Sequence, residues 1–183
     1  MKNILFIHYG GGSIRGSEMC FLSILSLINR SIFAPLVICN QEIMAEKVRA
    51  INIPVFRMKI PEITLDGKNS RFQIFLYFQT LYRIAQIIKK NKIDLIYSNS
   101  GLPSQMGFPL SKIFNIPLLC HIHARHPKRY AWMWLFKFSN KVIFVSDFVK
   151  NDLEKKVKFN GKVRVVYNGV DTEKRFNRNL NLD

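Results

Sequence analysis

Two segments carry residue types that could do chemistry. The first is Gly10-Gly11-Gly12-Ser13-Ile14-Arg15-Gly16-Ser17-Glu18, which follows a short apolar run. Glycines let a backbone approach a ligand closely, and a helix opening here would present free N–H groups and the positive end of its dipole to a phosphate. Gly12, Gly16 and Ser17 are the candidate phosphate contacts. The segment nearly spells a dinucleotide fingerprint and then fails it. Gly10 and Gly12 fit the first two glycines, but Arg15 occupies the third, and Glu42, the nearest acid after the second apolar run, is poorly placed for a ribose. Tight strand-to-helix turns also use glycine for structural reasons alone, so this loop does not decide the function by itself.

The second segment is Cys120-His121-Ile122-His123-Ala124-Arg125-His126, which gathers three of the four histidines. Strand alternation sets His121 and His123 on one side and Ile122 on the other. No metal or cofactor is expected, because no Asp, Glu or Cys follows closely to complete a ligand set. His123 is then either a group that touches substrate at a strand end or a hydrogen-bonded structural histidine. Arg125, Lys128 and Arg129 come next, either to draw in an anionic ligand or as solvated charges at a helix start. The stretch Tyr130 to Phe138 is apolar nearly all round, which fits a core helix or an interfacial helix with Trp and Lys at a lipid boundary.

The elements that must position these residues follow from periodicity. Short runs rich in Ile, Val, Leu and Phe predict strands at about 3–9, 35–39, 53–57, 93–98, 117–122, 141–146 and 163–167, and helical periodicity fills 17–30, 41–51, 70–91, 103–115, 127–139 and 147–158. In the long helix Ser70 is the expected cap, Phe75, Phe78, Tyr82, Ala85 and Ile88 the expected buried stripe, and Lys89 and Lys90 suit the negative end of the dipole. Pro127 fits the first turn of the fifth helix. Alternating strands and helices with right-handed crossovers give an α/β fold: a single Rossmann-like, doubly wound domain with a mostly parallel sheet of about seven strands. Ligands of such a sheet sit at the carboxyl ends of its strands. Gly10 to Gly16, Asn99 with Ser100 and Gly101, His123 to Arg125, and Ser146 should therefore share one edge. Residues 1–170 form the domain, and 171–183, where the apolar pattern ends, read as a hinge, linker or disordered tail.

Composition narrows the class. The 183 residues, 48% of them apolar, suffice for one domain with its own core. Cys20, Cys39 and Cys120 are too few and too scattered for a disulfide framework and read as reduced thiols of a cytoplasmic protein. The first apolar run is too short for a secretory signal, and none approaches a membrane span. The net charge of +16, from 28 Lys and Arg against 12 acids, points to an anionic partner or to a compositional bias rich in Lys, Asn and Ile. Basic residues are spread along the whole chain without a nucleic-acid motif, so an anionic membrane surface or a phosphorylated ligand is favoured over nucleic acid.

Four features in order resemble the retaining glycosyltransferases of the GT-B fold. Arg15-Gly16-Ser17-Glu18 resembles their Gly-Gly-x-Glu loop, and Pro117 to His123 their Pro-apolar-apolar-x-x-x-His strand. Val142-Ile143-Phe144-Val145-Ser146 resembles the strand that ends in Ser before another helix, and Val166-Tyr167-Asn168-Gly169-Val170-Asp171 the Asn-Gly-Val-Asp hinge. Arg15 in place of the first glycine and Ala124 in place of an acid depart from the pattern. The resemblance implies the N-terminal, acceptor-side half of an enzyme that moves a sugar from a nucleotide-sugar donor to a glycan or lipid-linked acceptor in cell-envelope polysaccharide synthesis. It also implies a location in the cytoplasm or at the inner face of the cell membrane. Gly12, Gly16 and Ser17 would meet the diphosphate or sugar of the donor, His123 would hold the transferred sugar, and Asn99, Ser100, Arg125, Lys128 and Arg129 would lie on the acceptor side. The basic pair and paired glutamates of the family's second domain have no counterpart in these residues, so the chain is expected to be inactive alone. The competing expectation is a stand-alone basic α/β module that binds phosphate or anionic membrane without catalysis.

Overall fold

The computed structural model describes residues 1–63 and 73–169. The elements run β1 (Lys2–His8), α1 (Gly16–Leu27), β2 (Phe33–Cys39), α2 (Glu42–Ala50), β3 (Val55–Arg57), α3 (Ile74–Asn91) and β4 (Leu95–Asn99). They continue with α4 (Ser104–Phe114), β5 (Leu118–Ile122), α5 (Lys128–Met133), a 3-10 turn (Phe136–Phe138), β6 (Lys141–Phe144), α6 (Asp147–Glu154) and β7 (Lys162–Val165). All seven strands are parallel, in the order β3-β2-β1-β4-β5-β6-β7. The order reverses between β1 and β4, and at such a switch point the two flanking loops part and leave a crevice above the strand ends.

The pleat of each strand divides the core. Ile4 and Phe6 of β1 pack with Phe21, Leu25, Met44 and Val48 under α1 and α2. Leu5 and Ile7 pack on the opposite face with Ile84, Ile88, Met106 and Leu110 of α3 and α4. Each such fully buried aliphatic or aromatic side chain stabilises the fold by about 1.5–3 kcal/mol relative to exposure, so a one-residue slip of β1 would invert both layers. Carrying the alternation to the strand ends places His8, Tyr97, Asn99, His121 and His123 on the α1 face.

Local chemistry fixes the helices. α4 contains Pro109, which has no N–H to give the carbonyl of Gln105 one turn earlier. The Tyr77 hydroxyl of α3 donates to that carbonyl at 2.8 Å and so satisfies a group that burial would otherwise leave unpaired. Ser146 caps α6, its Oγ accepting from the Val149 N–H at 3.3 Å.

Two expectations need correction. The buried stripe of α3 is Thr80, Ile84 and Ile88, with Tyr77, Leu81 and Ala85 partly covered, whereas Phe75, Phe78 and Tyr82 are 89%, 61% and 67% exposed. The helix is apolar on more than one side, and the sheet takes the side that holds Thr80, whose hydroxyl is satisfied by the Lys59 carbonyl at 3.1 Å. Lys89 and Lys90 do lie in the last turn of α3, while Ser70 lies outside the described residues. The single helix expected at 127–139 is broken: α5 ends at Met133, Leu135 takes a left-handed φ of 62°, and the 3-10 turn follows. Trp134 and Phe136 are both buried, and the Trp134 indole N–H is held by the Ile63 carbonyl at 2.8 Å. A continuous helix would turn one of these rings away from the core. Pro127 stands immediately before α5.

Candidate functional site

The parallel register sets His8 of β1, Asn99 of β4 and His121 of β5 side by side at the carboxyl edge of the sheet. His8 is 1% exposed, Asn99 1% and His121 4%, so their polar atoms must find partners within the protein. Asn99 bridges the row. Its Oδ1 accepts from His123 Nε2 at 2.8 Å, and its Nδ2 lies 2.8 Å from His8 Nδ1. An amide oxygen only accepts and an amide nitrogen only donates. His123 therefore carries its proton on Nε2 and has a lone pair on Nδ1, and His8 accepts at Nδ1 and keeps its proton on Nε2.

His8 Nε2 faces Glu18 Oε1 at 3.8 Å. Glu18, 5% exposed, also accepts from the Arg15 N–H at 3.1 Å and the Ser17 hydroxyl at 2.9 Å, which fixes the start of α1. Gly10 is pinned by the Asn40 amide, which accepts its N–H at 2.9 Å and donates to its carbonyl at 3.0 Å. Gly12 turns the loop with a φ of +102°, a conformation that favours glycine. The N–H groups of Gly16 and Ser17, in the first turn of α1, have no partner inside the helix and lie at its positive end. Two hydrogen-bonded groups, Ser17 with Glu18 and His8 with Asn99 and His123, thus face each other across the 3.8 Å between Glu18 and His8, where the glycine loop meets the histidine strand.

On the other side of His123 the His121 ring lies 4.2 Å away, and His121 Nδ1 meets the Tyr97 hydroxyl at 2.5 Å. Among the described residues His8 Nε2, His121 Nε2 and His123 Nδ1 have no hydrogen-bond partner. Burial holds His8 and His121 down at about 4, and burial together with neighbouring His121 and His8 holds His123 at about 3. At neutral pH the row presents uncharged imidazoles, able to exchange hydrogen bonds with hydroxyl groups rather than to attract anions.

The remaining sequence-selected residues are placed as follows. Ser100 takes a left-handed φ of 87°, held by its N–H on the His121 carbonyl at 2.8 Å and by its own carbonyl, which accepts from Ser98 Oγ at 2.9 Å. Arg125 is exposed, with its guanidinium over the Phe148 ring at 5.2 Å. Lys128 and Arg129 are also exposed and line a surface hollow of about 790 Å³ with Trp132 and Met133. The sequence did not single out His8 or Tyr97, named Glu18 only as the end of the Gly-Gly-x-Glu-like loop, and read Cys20 only as a reduced thiol. The sequence signal for His8 was a polar residue ending an apolar strand, and that for Glu18 was the loop resemblance together with a carboxylate in the first turn of a helix.

The sequence matches the model of Glycosyltransferase Family 4 over residues 58–174. The chain belongs to that family. An uncharacterized glycosyltransferase of Methanocaldococcus jannaschii is 30% identical over 117 residues, which cover 58% of this chain and 33% of the relative. Among solved structures, Anabaena HepE in complex with UDP and glucose superposes with a TM-score of 0.72 at 20% identity, covering 94% of this chain and 46% of that one. MurG of Acinetobacter baumannii gives 0.64 at 14% identity, covering 93% and 47%. This family-4 chain therefore spans less than half the length of these relatives. It is one Rossmann-like half of a GT-B fold, the N-terminal domain.

Proposed function

We propose that this domain forms the acceptor side of a retaining glycosyltransferase, which transfers a sugar from a nucleotide-sugar donor to a glycan or lipid-linked acceptor in cell-envelope synthesis. Residues 1–170 are the domain, 171–183 lead out of it, and the nucleotide is held by a second domain across the cleft. The observation that carries this reading is the meeting of the α1 N-terminus with the Asn99–His123 hydrogen bond at the switch point of the sheet, with Glu18 and His8 3.8 Å apart between them. It brings two kinds of group to one edge of the sheet: amide N–H groups that suit a diphosphate and a neutral imidazole that suits a sugar hydroxyl.

In a retaining transfer the acceptor hydroxyl attacks the anomeric carbon from the face that the diphosphate leaves, and charge builds on the departing phosphate. Fixed donors that meet this charge lower the barrier without reorganising. The N–H groups of Gly16 and Ser17 fill that role, with the loop shape set by Gly12 and Glu18. His123 Nδ1 accepts from a hydroxyl of the transferred sugar and orients it. Asn99, whose amide is used on both sides, is a positioning residue that fixes the His123 tautomer rather than touching the acceptor. Ser100, Arg125, Lys128 and Arg129 face the acceptor side, where the cations suit a lipid diphosphate.

The solved relatives support the substrate class. HepE is in complex with UDP and glucose, and WaaB is a lipopolysaccharide outer core galactosyltransferase. Among the described residues no helix is long and apolar enough to cross a membrane, and we read the protein as cytoplasmic and peripheral at the inner membrane face. Incubation with UDP- and GDP-sugars and a membrane extract tests the division of labour. Rapid transfer by these 183 residues alone would overturn it.

A further inference from the structure

The two imidazoles at the cleft hold more donor capacity than one sugar hydroxyl uses, and α1 brings a thiol to them. Cys20, in the second turn of α1, is half-buried. Its Sγ and one ring nitrogen each of His121 and His123 lie within 4.8 Å of one another. On each ring one nitrogen is engaged by an oxygen, His123 Nε2 by Asn99 Oδ1 and His121 Nδ1 by the Tyr97 hydroxyl, and the other nitrogen is buried without a partner among the described residues. That is the arrangement metal-ligating histidines adopt: the outer N–H donates to an oxygen, which fixes the tautomer and turns the inner lone pair toward the ion.

We propose that Cys20, His121 and His123 form a binding site for a soft or borderline divalent cation, with Zn²⁺ as the reference ion. The donor set decides the class. One thiolate and two imidazoles suit Zn²⁺ or Co²⁺, and the absence of a carboxylate among the three excludes Mg²⁺ and Ca²⁺ as its natural occupants. Tetrahedral Zn–S and Zn–N bonds of about 2.3 and 2.0 Å put ligand atoms about 3.3–3.6 Å apart. The three atoms therefore close by roughly 1 Å on binding, within reach of side-chain rotation. The fourth position opens on a cavity of about 810 Å³, also lined by Tyr167 and Asn168, whose Oδ1 already accepts from Cys20 Sγ at 2.9 Å. An ion here takes the His123 lone pair, so metal and sugar exclude each other and the occupied site is an off state of the cleft. Only this competition rests on the functional reading above; metal binding stands apart from it. The sequence pointed away from a metal because Cys20 lies 101 positions before His121 (121 − 20), and only the packing of α1 beside β5 joins them.

Cobalt is the probe. Titrating the 183-residue chain with Co²⁺ should give one equivalent of visible absorption with tetrahedral intensity and a thiolate-to-cobalt band in the near ultraviolet, both erased by one equivalent of Zn²⁺ and untouched by Mg²⁺. Cys20→Ser should abolish the thiolate band. His121→Gln should remove tetrahedral binding, and Tyr97→Phe should weaken it about 10–100-fold, the range for loss of an outer partner. Circular dichroism of each metal-free variant separates loss of ligand from loss of fold. A wild-type chain with no thiolate band, or a band that survives in folded Cys20→Ser, overturns the site. A cobalt site in a protein whose transfer activity ignores His123 would keep the metal and remove the sugar contact. The reverse result would remove only the metal.

Discussion

Mild acid should unfold this domain, and the magnitude can be worked from its four histidines. Their ordinary value is 6.5, and burial first of all holds His8, His121 and His126 at about 4 and His123 at about 3. The folded value lies below the unfolded one, so the unfolded chain takes up protons as the pH falls below 6.5, while the folded chain resists until about 4. Stability is full above 6.5 and is lost through that window. At pH 5 the difference is about 2 kcal/mol per histidine and about 8 kcal/mol for all four. This is an upper figure, because the +16 net charge also makes the unfolded chain a reluctant proton acceptor. It is still comparable with the whole stability of a typical domain, about 5–15 kcal/mol. Urea unfolding followed by Trp132 and Trp134 fluorescence at pH 7.5 and pH 5.0 measures it, and the expected loss is at least about 4 kcal/mol. His126, packed edge-on against Trp134 at 5.3 Å with Nε2 unpaired among the described residues, contributes separately from the cleft. His126→Leu should remove about 2 kcal/mol of the pH dependence. Equal stability at the two pH values would refute the claim that the histidines are held neutral by burial.

Other outcomes follow from single contacts. Tyr77→Phe leaves the Gln105 carbonyl beside Pro109 without its donor and should cost about 1–3 kcal/mol in urea unfolding. Gly161→Ala would put a Cβ 2.1 Å from the Ser139 carbonyl oxygen and should cost about 1–3 kcal/mol, with no loss if the turn simply opens. Flotation with liposomes containing anionic lipid should carry the protein at low salt and release it at 1 M, where the screening length falls to about 3 Å, with exposed Phe75, Phe78, Tyr82 and Trp132 adding apolar contact. Equal binding to neutral vesicles would contradict an electrostatic anchor.

The sheet was legible because a strand buried on both faces must be a short, continuous apolar run, and the runs ending at His8, Cys39 and Ile122 are of that kind. The buried face of α3 was not legible. With Phe75, Phe78 and Tyr82 on one side and Thr80 on the other, periodicity favoured the aromatic side, and only the Lys59 carbonyl makes Thr80 acceptable inside. The break at Leu135 was hidden for a similar reason, since it depends on where Trp134 and Phe136 find cavities rather than on any helix-breaking residue. At the site, the gathering of the glycine loop, Asn99 and His123 followed from strand direction. The links between them did not, because His8, Asn99 and His121 become neighbours only through the strand order β1-β4-β5 and its register. Cys20 likewise reaches the histidines only through the packing of a helix over the switch point.

Sugar transfer by this domain joined to the proposed nucleotide-binding domain, before and after His123→Ala, tests the central claim most directly. If His123 Nδ1 holds the transferred sugar as charge develops, the rate should fall about 10²–10³-fold with the fold intact, equivalent to about 2.7–4 kcal/mol of transition-state stabilisation. An unchanged rate in the folded variant would contradict the account and leave His123 a hydrogen-bonded structural residue.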